Sequence, residues 1–171
     1  MHFHEGTGYR YVAWQPIEID GTQPTTRPPY YAHMMIAHAI GNSSNNTRIA
    51  NLPLSEDTES AYAIYEGDVL ARLVTLNMEV SWSNATSRPS KEYAYCVPGH
   101  FRTARVQRFM GAGADARTNI TFGGVSYDYE LNKGRPVVVD EKASEEKLFI
   151  ENGMVKVDVP ASSGVLLTLL D

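Results

Sequence analysis

Hydrophobic residues recur at every second position in short runs along most of the chain, and glycine, proline or asparagine separates the runs. The clearest run is Met154–Val159, in which Val155, Val157 and Val159 alternate with charged residues and so share one face of a strand. Short strands at such spacing predict an antiparallel sandwich of about eight strands. The runs are Ser60–Tyr65, Val69–Met78, Tyr93–Val97, Thr103–Phe109, Ile120–Phe122, Val125–Tyr129, Val137–Val139, Lys147–Ile150, Met154–Val159 and Gly164–Leu170.

Turn residues between these runs predict which strands are joined. Glu66-Gly67-Asp68 indicates a hairpin between the first two runs. Asn152-Gly153 is the pair favoured in type I′ turns, because both central residues of that turn have positive φ. We therefore expect Lys147–Ile150 and Met154–Val159 to form a hairpin.

The segment before residue 43 has a different pattern. Met1–His4 is typical of a short strand, and the glycines of Glu5–Gly8 indicate a loop. A helix is predicted over Tyr30–Ile40, because prolines precede it, Gly41-Asn42 ends it, and residues at i, i+3, i+4 and i+7 form a stripe. The stripe consists of Tyr31, Met34, Met35 and His38.

Charge and composition exclude several classes of partner. The net charge is -5 and the pI about 5.5, so neither nucleic acid nor an anionic membrane is an expected partner. No apolar run is long enough to span a bilayer, and the amino terminus lacks a signal-peptide core. Cys96, the single cysteine, lies in a tyrosine-rich run, where we expect a buried thiol.

Acceptor sequons for N-glycosylation favour a secreted protein. They begin at Asn42, Asn45, Asn84 and Asn119, each in a turn-rich stretch. Four sequons in so short a chain lead us to expect an extracellular location.

Neither a metal nor a cofactor is predicted. His2 and His4 share a strand face, but no second cluster supplies the remaining ligands that a catalytic zinc needs. Gly111–Ala116 lacks the third glycine and the following helix of a dinucleotide site, so we interpret it as an ordinary loop.

Glycoside hydrolysis needs two carboxyl groups roughly 5–9.5 Å apart across the scissile bond. Glu5 is the only carboxylate beside a strand end in the aromatic first segment, so we assign no catalytic residue. Aromatic rings there suit either sugar stacking or core packing, and the sequence leaves both open. They are Tyr9, Tyr11, Trp14, Tyr30 and Tyr31.

An ordered succession of motifs resembles glycoside hydrolase family 79, the β-glucuronidase type. Met1–Pro16 resembles the end of that family's catalytic barrel, and Arg27–Tyr31 the start of the helix that closes it. Ala61–Asn77 resembles the opening hairpin of the family's carboxy-terminal β-domain, and Pro160–Leu169 its last strand. Between these lie similarities at Val106–Phe109, Gly113–Ala116, Ile120–Gly124 and Ser126–Asp128.

The resemblance implies a mostly β chain in two parts. Residues 1–45 would be a strand-loop-helix remnant of a (β/α)8 barrel, and residues 46–171 the carboxy-terminal β-sandwich. The family hydrolyses glucuronides with retention, through two glutamates on barrel strands that would precede Met1. His4, Tyr9 and Tyr11 would contact the glucuronide or other carbohydrate in the larger parent protein.

Our leading interpretation is an accessory sandwich that supports the parent's catalytic barrel and is inactive alone. A free-standing carbohydrate-binding sandwich, with exposed aromatics as its platform, is the alternative. A weaker alternative is a metal-dependent enzyme that uses His2 and His4.

Overall fold

The computed structural model describes residues 12–42 and 46–171. No helix in those ranges is long and apolar enough to cross a membrane. The elements are β1 (Trp14–Gln15), β2 (Thr25–Thr26), α1 (Pro28–Ile40), β3 (Thr47–Leu52), β4 (Glu59–Glu66), β5 (Val69–Asn77), β6 (Ser90–Cys96), β7 (Thr103–Met110), β8 (Thr121–Phe122), β9 (Val125–Ser126), α2 (Tyr129–Asn132), β10 (Val137–Val138), α3 (Glu141–Ser144), β11 (Lys147–Phe149), β12 (Met154–Pro160) and β13 (Ser163–Leu170).

Most strands belong to one large antiparallel sheet. Its order is β10-β9-β8-β7-β13-β5-β4-β3, and β11 pairs with β7 beside this path. β13, the last strand in the sequence, lies in the middle, between β5 and β7. The strands β12 and β6 form a separate two-stranded ribbon, and β1 and β2 form a smaller one.

The β12–β6 ribbon packs on one face of the large sheet. Val155, Val157 and Val159 are almost fully buried there, as their alternation predicts. Their partners come from both layers, so the strands form the expected sandwich. The buried residues are Ala63, Leu73, Tyr93, Val97, Phe101, Ala104, Val106, Val155, Val157, Val159, Val165, Leu167 and Leu169.

Helix α1 covers part of the opposite face. Tyr31, Met35 and Ala39 lie one helical turn apart and are its buried residues. They pack with Ile64, Val74, Ile120, Phe122 and Leu166 of the sheet and its loops. The predicted helix is therefore confirmed, and it docks on the sandwich.

The Asn152-Gly153 turn forms, but the predicted hairpin around it is wrong. Both residues have positive φ (52° and 72°), and Glu151 and Met154 exchange two backbone hydrogen bonds of 2.9 and 3.0 Å. Beyond this single pair the strands separate, because β11 pairs with β7 and β12 with β6. The turn carries the chain from the large sheet to the ribbon.

Two local expectations also fail. Cys96 is exposed, because the inward positions of β6 are taken by Tyr93 and, one residue after the strand, Val97, which leaves Cys96 on the outer face. The predicted strand Val125–Tyr129 ends at Ser126, and Tyr129 begins the short helix α2.

The turn generates a stability prediction. Gly153→Val places a β-branched side chain at φ 72°, with its Cβ 3.3 Å from the Val97 carbonyl oxygen. We expect the free energy of unfolding, measured in urea, to fall by about 1–3 kcal/mol. Gly99→Val is the matched control, because an added Cβ there meets nothing within 4 Å and no positive φ is present. Equal losses in the two variants would contradict this explanation.

Candidate docking surface

The residues predicted to contact substrate are His4, Tyr9 and Tyr11, and all three lie outside the described residues. The same is true of His2 and Glu5. Their roles therefore stay predictions.

The aromatic residues that the structure describes belong to two environments. Trp14 in β1 is exposed, whereas Tyr31 in α1 is completely buried. The ring of Tyr127 lies 5.4 Å from that of Tyr30 and 5.9 Å from that of Tyr31, between centroids. The sequence leaves sugar stacking and core packing open for the rings of Trp14, Tyr30 and Tyr31. For Tyr31, the structure shows core packing.

The hydroxyl of Tyr31 is the centre of a buried hydrogen-bond network. It donates to Asp128 Oδ1 at 2.8 Å and accepts from the Tyr127 backbone N–H at 2.8 Å. Ser126 Oγ lies 3.1 Å away, and since the tyrosine proton is committed to Asp128, the serine is the donor. Asp128 Oδ2 also accepts from the Asn119 backbone N–H. The network therefore joins α1 to the loops around β8 and β9.

Burial further favours the protonated form of this hydroxyl. Removal from water raises the pKa of Tyr31 to about 12, because the charged phenolate is poorly solvated there. The protonated hydroxyl is the donor to Asp128 Oδ1.

The other end of α1 is fixed by the strands β5 and β3. Arg72 forms an ion pair with Glu66, and its Nη1 donates to the Ala39 carbonyl at 3.5 Å. Thr47 Oγ1 donates to the Ile40 carbonyl at 3.3 Å. These contacts satisfy carbonyls of the last helical turn that have no partner within the helix.

Helix α1 covers Ile64 of β4 but leaves the margin of its sheet face, at Ile49 of β3, exposed. A groove of about 490 Å³ lies between α1 and this part of the sheet. Three isoleucines on its walls are strongly exposed: Ile36 by 49%, Ile40 by 40% and Ile49 by 53%. The complete lining is Ala32, Met35, Ile36, Ala39, Ile40, Ile49, Tyr62, Ile64, Val74, Leu76 and Phe109.

The chemistry of the groove fits a protein surface. Its lining contains no charged residue, and Tyr62 carries its only side-chain polar group. A contiguous exposed apolar surface of this kind marks an interaction site. A sugar or an ion needs directed polar groups, which this lining does not offer.

Within residues 12–42 and 46–171, no cluster of three histidine, cysteine or acidic residues could hold a metal ion.

Gly111–Ala116 is a loop, as expected, and Asp115 in it accepts hydrogen bonds from Ser83 N and Oγ at 2.9 and 2.8 Å. This loop therefore stabilises the position of the segment that contains Ser83.

The sequence matches a known domain family, described as "Glycosyl hydrolase family 79 C-terminal beta domain", over residues 61–166. The chain belongs to glycoside hydrolase family 79. A beta-glucuronidase of Aspergillus niger is 36% identical, in an alignment that covers 98% of this chain and 33% of that protein. A beta-glucuronidase of Neurospora crassa is 32% identical, over 80% of this chain and 30% of that protein.

A solved structure shows the same fold. The 4-O-alpha-L-rhamnosyl-beta-D-glucuronidase of Fusarium oxysporum superposes with a TM-score of 0.74 at 21% identity, over 97% of this chain and 34% of that chain. The family 79 chain described here thus spans about a third of the length of its relatives, and it is their carboxy-terminal β domain. It is an accessory domain of the family.

The groove was missed by the sequence reasoning, although a signal for it was present. Ile36 and Ile40 are four residues apart and form a second apolar stripe on α1, beside the stripe that begins at Tyr31. A second apolar stripe on a helix offers a surface for a second partner. The exposure of Ile49 depends on sheet register, which the sequence pattern does not determine.

The Tyr31 network generates a second prediction. Tyr31→Phe keeps the ring but leaves the buried Asp128 and Ser126 without their tyrosine partner. We expect the free energy of unfolding to fall by about 1–3 kcal/mol. Tyr30→Phe, on the partly exposed neighbouring ring, should cost less than about 0.5 kcal/mol. Similar losses in the two variants would show that the network contributes little.

Proposed function

We propose that this family 79 domain supports a catalytic (β/α)8 barrel, and that the apolar groove beside α1 is where the barrel docks. The observation that carries the proposal is the uncovered apolar sheet face next to a helix whose second stripe is exposed. The chain's coverage of a third of its relatives supports the choice of a further domain of the same protein as the occupant.

The position of α1 explains how two domains would share one helix. Tyr31 and Arg72 fix its two ends to the sandwich. Ile36 and Ile40 face the groove and would pack on the barrel. The resemblance of this helix to the one that closes the family's barrel agrees with such a shared position.

The parent's proposed activity is hydrolysis of β-glucuronides, because both curated relatives are called beta-glucuronidases. In the parent, His4, Tyr9 and Tyr11 would contact the sugar, and the two catalytic glutamates would come from the barrel. Carbohydrate would therefore bind through the parent, at the end of the barrel.

This domain alone is proposed to be inactive. Retaining hydrolysis requires two carboxyl groups facing a sugar site. Glu59 and Asp128 are shielded from solvent, but Glu59 is paired with Lys91, and Asp128 accepts bonds from Tyr31 and Asn119. Both carboxylates thus have structural partners.

We also propose that the parent is secreted, because this chain contains four sequons. Asn42, Asn84 and Asn119 are exposed, and Asn45 lies outside the described residues. Detection of the protein in the culture fluid of cells that encode it would support this, and its confinement to the cell interior would contradict it.

Docking through the groove is tested with the rest of the parent's barrel, without the strand and helix that this chain contributes, produced separately. The unmodified domain should bind it, and Ile36→Glu with Ile49→Glu should weaken binding at least tenfold, since two charges would be buried against apolar surface. Val69→Glu is the matched control, because Val69 is equally exposed but lies outside the groove. Calorimetry measures all three affinities.

Two results would contradict the proposal. Tight binding by the double variant would place the barrel elsewhere on the domain. Absence of binding by the unmodified domain, together with binding to polysaccharides, would favour the free-standing carbohydrate-binding module.

Inactivity is tested with an aryl β-glucuronide. We expect no release of the aryl group by the domain alone, because the pair of catalytic glutamates is proposed to come from the parent's barrel. Turnover that Glu5→Gln abolishes would show that the domain carries its own catalytic group and would overturn the accessory role.

A further inference from the structure

The segment between β5 and β6, residues 78–89, contains no helix or strand but is firmly held. Ser81 N donates to Ser162 Oγ at 2.9 Å, and Ser81 O accepts from Ala114 N at 2.8 Å. The guanidinium of Arg88 donates to three backbone carbonyls, at 2.6–2.8 Å, on the loop after β7 and the turn before β13. The segment is therefore a preorganised surface loop.

Trp82–Ala85 forms a β-turn at the tip of this loop. Ala85 N donates to the Trp82 carbonyl at 3.0 Å, and Ser83 and Asn84 are the central residues. Asp115 fixes Ser83 through both carboxylate oxygens. The backbone of Gly113 lies so close that a Cβ there would be 2.3 Å from Ser83 N. The orientation of the turn is therefore set by its neighbours.

This fixed turn presents a large aromatic ring to solvent. Trp82 is 57% exposed, and Ser83, Asn84, Ala85 and Thr86 are exposed as well. Burying this indole ring would be favourable, because apolar surface gains free energy when it is removed from water. Trp82 lies two residues before the acceptor of a sequon, Asn84-Ala85-Thr86, and it is the first residue of the β-turn in which Asn84 is a central residue.

The other sequons lack this arrangement. The residue two positions before the asparagine is Ile40 for Asn42, Ser43 for Asn45 and Arg117 for Asn119. Only Asn84 has an aromatic residue there. An exposed ring beside an acceptor asparagine is the chemistry that binds a sugar face, because the C–H groups of a pyranose pack on π surfaces.

We propose that Asn84 is N-glycosylated and that the first N-acetylglucosamine of its glycan stacks on Trp82. The glycan is then the partner that covers the exposed indole and stabilises the loop. This inference rests on the proposed secretion of the parent and is independent of barrel docking.

The modification is a transfer from a dolichyl diphosphate-linked oligosaccharide, the donor class of secretory N-glycosylation. A bond forms between Asn84 Nδ2 and C1 of the first N-acetylglucosamine. The bond between C1 and the diphosphate oxygen breaks, and the lipid diphosphate leaves with the bonding pair. The amide nitrogen loses one proton, and nothing is oxidised or reduced.

The first experiment measures occupancy. The chain is secreted from yeast behind a signal peptide, and glycopeptides are analysed by mass spectrometry. We expect Asn84 to be occupied in most molecules, and Thr86→Ala to abolish this while leaving Asn84 in place. An unoccupied Asn84 would overturn the proposal.

The second experiment separates stacking from mere attachment. The Tm of the glycosylated chain should exceed that of Thr86→Ala by about 2–4 °C, the shift that a contact of ordinary strength produces in a chain of this size. In a Trp82→Ser background the same comparison should show no difference. Trimming to a single N-acetylglucosamine should preserve the shift, because the first sugar makes the contact. A shift that persists without Trp82 would overturn the stacking.

A third readout reports on Trp82 itself. The chain has two tryptophans, so Trp14→Phe leaves Trp82 as the only emitter at tryptophan wavelengths. Stacking should move the emission of the glycosylated protein to shorter wavelength and protect it from acrylamide. The Trp82→Phe protein, in which only Trp14 emits, is the matched control and should be unaffected by the glycan. Identical emission of Trp82 with and without glycan would contradict the contact.

Discussion

The large sheet has two apolar faces, and both must be covered. β13 lies at its centre, with Val165, Leu167 and Leu169 in the cluster beneath the ribbon and Leu166 in the cluster beneath α1. A strand buried on both faces has a continuous apolar sequence, which distinguishes Gly164–Leu169 from the alternating Met154–Val159. The two covering layers follow from this constraint, since apolar surface left in water would cost most of the stability of a domain this size.

Helix α1 meets the constraint only in part. Tyr31 anchors its first turn through a buried hydroxyl, and Arg72 contacts the Ala39 carbonyl in its last turn. The margin of this sheet face therefore stays exposed at Ile49 of β3, beside the groove. In the proposed arrangement, the catalytic barrel docks on this incomplete layer.

Local features were predictable from the sequence because local chemistry determines them. The alternation of Val155, Val157 and Val159 and the positive φ of Asn152 and Gly153 are set within a few residues. Long-range strand pairing is not set locally, so the strands on either side of Asn152-Gly153 pair in different sheets. For the same reason Cys96 is exposed, although Tyr93 and Tyr95 lie close to it in the sequence. The groove could be found only once the register of β3 placed Ile49 beside Ile36. The recognised motifs, by contrast, identified the family and the sandwich from sequence alone.

Hydrogen exchange compared between this domain alone and the complete parent protein tests whether the barrel docks at the groove. Backbone amides in β3, which forms the edge of the large sheet, and in the last turns of α1 border the groove. We expect these amides to exchange more slowly in the parent, while those in the β12–β6 ribbon exchange equally in both proteins. Unchanged exchange around the groove, with new protection on the ribbon, would show that the barrel docks on the opposite face and would contradict docking at the groove.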